Sequence, residues 1–179
     1  MEQVRDWIFE KGQLDWGKMS NLPKSLKEKL TERYDLVPMK IMRVQGSKDT
    51  TQKFLWRLRD HQLIESVLIR ANQDTLGNRS SRLTLCVSTQ VGCALGCKFC
   101  ASGLDGLKRN LTTGEIVGQI LLARKEAVRR IDNLVFMGMG EPLLNINELI
   151  LSIRSINEDF HISQRKITVS TVAVPKMIN

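Results

Sequence analysis

Three cysteines, Cys93, Cys97 and Cys100, follow one another at spacings of four and three residues. Thiolates are soft donors that select zinc or iron–sulfur clusters. Three of them on one loop can hold three irons of a cubane and leave the fourth iron open to a substrate. Gly92, Gly96 and Gly103 supply the backbone freedom that a short loop needs around a cluster, and Phe99 is expected to give apolar cover. A structural zinc site with Cys86 as fourth ligand is the alternative, because zinc prefers four ligands and no histidine competes nearby. The six-residue gap between Cys86 and Cys93 is unlike the paired two-residue spacing of zinc ribbons.

A second motif, Met137-Gly138-Met139-Gly140-Glu141-Pro142-Leu143, falls where a predicted strand ends. Ligands of α/β folds bind at the carboxyl ends of strands, where glycines admit a ligand close to the backbone and a carboxylate can hold an amino group. Taken alone, the same residues also suit an ordinary tight turn. Ser170 closes a later strand and has the same two readings, since strand hydroxyls are usually structural. Placement of all three features on successive strand ends favours a site.

The elements that must carry them are legible in the hydrophobic pattern. After position 83 the chain reads strand, loop, helix, strand, loop, helix, strand, the order of a parallel α/β layer. Strands are expected at 83–88, 133–137 and 166–171. The middle one is short and continuously apolar, as when both faces are covered. Thr112-Thr113-Gly114-Glu115 has the spacing of a capping box and opens a helix with Ile116, Val117, Ile120 and Leu121 on one face. Arg124, Lys125, Arg129 and Arg130 lie where they suit the negative end of its dipole. Ile146, Leu149, Ile150 and Ile153 mark a second amphipathic helix. Before position 83, a polar cap and early proline at Asn21-Leu22-Pro23 start a helix through Leu26, Leu30 and Tyr34. Strand-like runs follow at 40–44, 53–58 and 63–69. Residues 72–82 read as a polar linker.

Composition sets the outer limits. The chain has 179 residues, 42% of them hydrophobic and 26% charged, which suits a folded domain and excludes disorder throughout. A complete eight-stranded barrel alone needs roughly 250 residues. The formal charge is +8, with 16 basic and 11 acidic residues before position 84 against 11 and 8 after it. That balance favours a polyanionic partner, and the more basic first part is the better candidate for touching it. No apolar stretch is long enough to cross a bilayer and residues 1–20 lack a signal-peptide core, so a cytoplasmic protein without membrane contact is expected. All four cysteines fall within fifteen consecutive residues, which points to a metal or thiol chemistry and away from a disulfide framework.

Cys-x-x-x-Cys-x-x-Cys after the first parallel strand, with Gly-Glu-Pro after the second, resembles the radical S-adenosylmethionine (SAM) superfamily. Residues 86–93, 108–112, 138–143 and 168–171 narrow the match. With 21–26 and 64–67 in the first part, they closely resemble the dual-specificity 23S ribosomal and transfer RNA adenine C2 methyltransferases. The resemblance implies an α/β fold, the first half of a partial (β/α)6 barrel at 84–179, preceded by a small α+β RNA-binding accessory domain with its linker at 1–83. It further implies that Cys93, Cys97 and Cys100 bind a 4Fe-4S cluster whose open iron chelates SAM. Gly140, Glu141 and Ser170 then match SAM contacts. In that family a methyl carried on a late cysteine becomes a radical, adds to adenine C2 and leaves an adduct that a second cysteine resolves. Cys86 matches the resolving cysteine, and Glu65 matches the base that takes the C2 proton. Without the resemblance, Glu65 reads as a solvated strand carboxylate, Cys86 as a small buried residue, and Lys108 and Arg109 as a solvated turn or phosphate contacts.

The partners implied are 23S rRNA, transfer RNA and an external electron donor. The methyl-carrying cysteine and the later strands would lie beyond Asn179, so a missing C-terminal half is expected and the chain alone is expected to be inactive. Ala173 stands where the family usually has glycine. A zinc-stabilised RNA-binding module without catalysis is the competing class.

Overall fold

The computed structural model describes residues 2–47, 51–71 and 82–173. Two helices open the chain, α1 (Glu2–Arg5), continued as a π-helical turn at Asp6–Glu10, and α2 (Lys24–Arg33). Three long strands follow, β1 (Met39–Gly46), β2 (Thr51–Leu58) and β3 (Leu63–Arg70). The second part contains β4 (Leu83–Cys86), the short pair β5 (Gln90–Gly92) and β6 (Leu107–Asn110), α3 (Thr113–Ala127), β7 (Asn133–Phe136), α4 (Ile146–Asp159) and β8 (Ile167–Val169).

Six strands form one mixed sheet in the order β1-β2-β3-β4-β7-β8. The first four pair antiparallel, whereas β4, β7 and β8 pair parallel through the crossover helices α3 and α4. The accessory strands therefore extend the parallel layer through the β3–β4 pairing, with Val67 opposite Cys86. One core spans both parts: Phe54, Trp56 and Leu68 pack in the same cluster as Leu85, Ile116, Ile120, Leu134 and Ile156. The expected linker lies almost wholly outside the described residues.

Alternation along the strands decides which face is covered. On β2, Gln52, Phe54, Trp56 and Leu58 are buried while Lys53, Leu55 and Arg57 are half-buried. The register carries this across the sheet. The row Lys53, Val67, Cys86, Val135 and Thr168 crosses five strands on the face away from the helices, and every member is half-buried or exposed. This corrects one expectation. The apolar run 133–137 predicts cover on both faces, yet in β7 only Leu134 and Phe136 are buried while Asn133 and Val135 are half-buried, so among the described residues its second face is only partly covered. On α4, likewise, Leu149, Ser152 and Ile156 are buried and Ile150 is 43% exposed, so the buried stripe lies further round the helix than the isoleucine pattern implies.

A buried polar chain ties the helical face to the strands. Trp56 Nε1 donates to Ser66 Oγ at 2.9 Å, and Ser66 Oγ donates to Gln119 Oε1 at 2.7 Å. Gln119 also accepts from Ser88 N at 2.9 Å and donates to Ser88 O at 3.0 Å. A fully buried amide leaves no donor or acceptor idle here, which is what a water-free interior demands. Residues from β2, β3, α3 and the segment after β4 are thereby held in one register.

Candidate functional site

The carboxyl ends of β4, β7 and β8 point to one edge of the sheet, and the sequence motifs meet there. After Cys86 the chain runs through buried Val87, Ser88 and Thr89 into the antiparallel pair β5–β6. The cysteine loop, residues 93–106, is the connection of this pair, closed by Cys93 N to Gly106 O at 3.3 Å. Gly92 has φ +75°, and a Cβ there would meet Gly106 O at 2.0 Å, so the closure requires glycine. Cys93, Cys97 and Cys100 are free thiols and half-buried. Leu95 N lies 3.4 Å from Cys93 Sγ, and Cys100 N donates to Cys97 O at 3.0 Å.

Three reduced thiols on one loop are a donor set that fits an iron–sulfur cluster. Among the described residues no three His, Cys, Asp or Glu side chains are gathered closely enough to hold a single metal ion. Ligands of a cubane each hold a different iron and need not converge on one point. Phe99 differs from its expectation: it is 93% exposed and covers nothing among the described residues. A side chain at the tip of a hairpin loop has only the residues beyond that tip to pack on. Leu104, on the same loop, is exposed as well.

The Gly-Glu-Pro segment follows β7 and is stitched to the start of the cysteine hairpin. Gly138 N donates to Val87 O at 3.1 Å, Met139 N to Ser88 Oγ at 2.8 Å, and Thr89 N to Met139 O at 2.9 Å. Glu141 N donates to Gln90 Oε1 at 2.8 Å. Gly140 has φ +100°, and a Cβ there would stand 2.5 Å from Gln90 Cβ. Only glycine permits both that turn and that approach. The Glu141 carboxylate is buried. It caps the following turn by accepting from Leu143 N at 3.1 Å, and it accepts from Thr171 Oγ1 and from Val172 N at 3.2 Å. Glu141 thus fastens the segment after β8, on which Ser170 is exposed with its N–H donated to Phe136 O at 3.3 Å. Ala173 has φ +57°, the left-handed conformation glycine would adopt without strain.

Glu65 and Cys86 lie on the open face of the neighbouring strands β3 and β4. Since Val67 is opposite Cys86, Glu65 is the diagonal neighbour of Cys86, at a separation of roughly 7–8 Å between backbones. Lys53 Nζ contacts Glu65 Oε1 at 2.8 Å, both side chains being about two-fifths exposed. Burial pushes the Cys86 thiol above the usual thiol range, and a hydrogen bond from the Met137 backbone offsets part of that shift. At neutral pH Cys86 is a protonated thiol.

Arg109 has a role that neither sequence reading gave it. On β6 it donates to Asp60 Oδ2 at 2.6 Å and to both carboxylate oxygens of Glu115 at 2.8 Å. It joins the β2–β3 turn, the cysteine hairpin and the start of α3. The guanidinium holds the Asp60 carboxyl below its ordinary range. Burial raises Glu115, but hydrogen bonds from Arg109 and Thr112 more than offset it and leave that carboxyl lowered too. Gln90, Ser88 and Asn145 were also missed. Asn145 donates to Thr89 O at 2.8 Å and to Leu111 O at 2.9 Å, bracing both ends of the hairpin. A buried amide inside an apolar stripe, as at Gln119, is the signal that could have found this network.

Comparisons with known proteins bear on the family of the chain. Residues 87–176 match the profile of the radical SAM superfamily, and residues 1–36 match that of a ribosomal RNA large subunit methyltransferase N-terminal domain. The chain belongs to the radical SAM superfamily. Within it, the chain is similar to proteins called dual-specificity RNA methyltransferase RlmN. A protein of Akkermansia muciniphila called "Probable dual-specificity RNA methyltransferase RlmN" is 52% identical over 95% of this chain and 48% of its own length. One of the same name from Thermotoga neapolitana is 46% identical over 99% of this chain and 50% of its own. The crystal structure of a radical SAM methyltransferase from Sphaerobacter thermophilus superposes with a TM-score of 0.83 at 40% identity, covering 94% of this chain and 49% of that one. The chain spans about half the length of the relatives it matches. No helix among the described residues is long and apolar enough to cross a membrane.

Proposed function

We propose that this chain is the cluster- and SAM-binding portion of an RNA methyltransferase that modifies C2 of adenine in 23S rRNA and transfer RNA. The reading is carried by one observation: Gln90, at the root of the hairpin bearing the three thiols, holds the backbone of Glu141 at 2.8 Å. The metal-binding loop and the SAM-type motif are thus one rigid unit. Cys93, Cys97 and Cys100 would hold a 4Fe-4S cluster. Gly140 and Ser170 would border the bound SAM, and Glu141, whose carboxylate is occupied by protein donors, would shape that border with its backbone.

Adenine C2 is an electron-poor aromatic carbon that a sulfonium methyl does not alkylate directly, and the bound cluster with SAM supplies the one-electron chemistry that reaction needs. The chain's own contribution is orientation and proton handling. Glu65 would accept the adenine C2 proton at Oε2, the oxygen not held by Lys53. Cys86, after losing its thiol proton to solvent, would attack the sulfur of the methylene-bridged adduct, so that a disulfide forms as the sulfur–carbon bond breaks and the released carbon takes a proton to become the methyl group. An external electron donor and the residues that complete the barrel belong to the same proposal. Exposed Met137, Phe99 and Val172, with the half-buried Val135 on the open face of β7, leave apolar surface for those residues to bury.

Anaerobic reconstitution with iron and sulfide tests the reading. A brown protein whose visible absorption disappears on substitution of Cys93, Cys97 or Cys100 supports it. A colourless protein holding one zinc per chain would favour the non-catalytic module instead.

A further inference from the structure

We propose that the open face of β1 and β2 is the track on which the RNA strand flanking the target adenine lies, its phosphates held by Lys40, Arg43 and Arg57. The inference rests on the RNA methyltransferase reading given above and names the surface which that reading leaves unassigned. Strand register sets the placement. Leu55 stands opposite both Arg43 and Glu65, so these three form one row across β1, β2 and β3. Lys40 stands opposite Arg57 in the next row, and Arg57 stands opposite Leu63, which makes it a diagonal neighbour of Glu65. At about 4.8 Å between strands and 3.4 Å per residue, the backbone of Arg43 is roughly 10 Å from that of Glu65, and that of Arg57 roughly 8 Å.

Lys40 and Arg43 are exposed and Arg57 is half-buried. Among the described residues, none of the three takes part in an ion pair or a side-chain hydrogen bond. The carboxylates close by are already engaged. Glu65 is bound by Lys53 at 2.8 Å. Asp35, which borders the same groove as Lys40 and Arg57, pairs with Arg59 at 2.5 Å and accepts from Val37 N at 3.0 Å. Two explanations that need no ligand fall short. Charges on an edge strand discourage pairing with another chain, which accounts for Lys40 and Arg43 on β1 but not for Arg57 on β2, inside the sheet. Nor does strand stability account for the arrangement, because like charges directly opposite one another destabilise a sheet and Lys40 faces Arg57. A polyanion lying across both relieves that repulsion.

Position singles out the occupant. The neighbouring row, Lys53, Val67 and Cys86, continues across the same face, so the cations share it with the two groups assigned to proton removal and adduct release. Strands that complete the barrel would add beside β8, at the other end of the sheet from β1. The side chains set between the cations, Leu55 and Leu63, are aliphatic. The surface therefore offers charges for phosphates and no aromatic ring on which a base would stack. A strand whose adenine sits over Glu65 and Cys86 has its flanking phosphates within reach of these side chains.

The test is binding of a labelled RNA stem-loop with an adenine in its loop to the full chain across a salt series. Wild type is compared with R43Q/R57Q and with K29Q/R154Q, a charge-matched control on the exposed surfaces of α2 and α4. Melting by circular dichroism verifies that each variant is folded. R43Q/R57Q is expected to bind roughly tenfold more weakly and to reduce the slope of log K against log salt by about 1–2, with the control within about twofold of wild type. A second measurement places the photoreactive residue benzoylphenylalanine at Leu55 or at Leu151, which is exposed on α4. Irradiation is expected to crosslink the RNA from position 55 and not from position 151, and should R43Q/R57Q fail to fold, the crosslink alone decides. Unchanged binding by R43Q/R57Q, equal losses in both variants, or crosslinking from 151 without 55 overturns the track while leaving RNA as partner. A wild-type chain that binds no RNA overturns the track as well, and the cluster reconstitution then judges the enzyme reading separately. Binding to phosphatidylserine vesicles as tight as to RNA, and lost in R43Q/R57Q, overturns the assignment to RNA.

Discussion

The hydroxyl of Ser88 donates to the backbone carbonyl of Glu65 at 2.6 Å and accepts from Met139 N at 2.8 Å. One side chain therefore joins β3 of the accessory part to the segment that carries Gly140 and Glu141. Replacing Ser88 with alanine leaves a buried carbonyl and a buried N–H without their partner. The expected cost is about 2–3 kcal/mol, read as a lower urea midpoint at unchanged m-value. A loss below 0.5 kcal/mol would show that water replaces the hydroxyl and that the joint is not structural.

Arg109 is expected to stabilise the fold through charge, not through RNA contact. Arg109→Met should cost about 2 kcal/mol at neutral pH, since Glu115 then keeps a nearly buried carboxylate without its guanidinium. The sign with pH follows from the lowered carboxyls. Glu115 and Asp60 have folded values below their unfolded ones, so their contribution is present above about pH 4 and is lost as pH falls through the lowered values. Wild type and variant should therefore converge in stability at strongly acid pH. Parallel pH curves would remove the network from the account.

Cys86 should be slow to alkylate at neutral pH. With Cys93, Cys97 and Cys100 replaced by alanine, iodoacetamide labelling of the native chain is expected to rise only above about pH 9, because burial favours the neutral thiol. Rapid labelling at pH 7 would contradict the environment described for it.

Val128 ends α3 in the left-handed conformation with φ +51° and is 87% exposed. A β-branched residue is strained there and nothing repays it through packing. Val128→Gly is expected to stabilise the chain by about 0.5–1 kcal/mol, raising Tm by roughly 1–4 °C in a calorimetric scan. A lower Tm would mean that the exposed valine contributes packing that its surroundings do not show.

Much of this arrangement is legible in the sequence where local chemistry decides it. The Thr112–Glu115 capping box forms as its spacing requires, and the three accessory strands lie within about two residues of their apolar runs. The grouping of the cysteine loop, Gly140–Glu141 and the Ser170 segment at strand ends follows from strand order alone. What escaped depends on distant pairing. The β5–β6 hairpin has only three and four residues per strand, too short for alternation to register. Arg109 looks like any surface arginine until Asp60, 49 positions earlier, folds back to it. Val135 shows its open face only because helices cover one side of the sheet, and no period in a four-residue strand can report that.

The central claim is that three thiols leave one iron open to SAM. Electron paramagnetic resonance of the anaerobically reconstituted, dithionite-reduced chain, recorded with and without SAM, tests it most directly. The account expects a reduced 4Fe-4S signal whose g-values shift when SAM is added, with Cys93→Ala, Cys97→Ala and Cys100→Ala each abolishing it. A cluster signal indifferent to SAM, or a diamagnetic zinc protein, would contradict it.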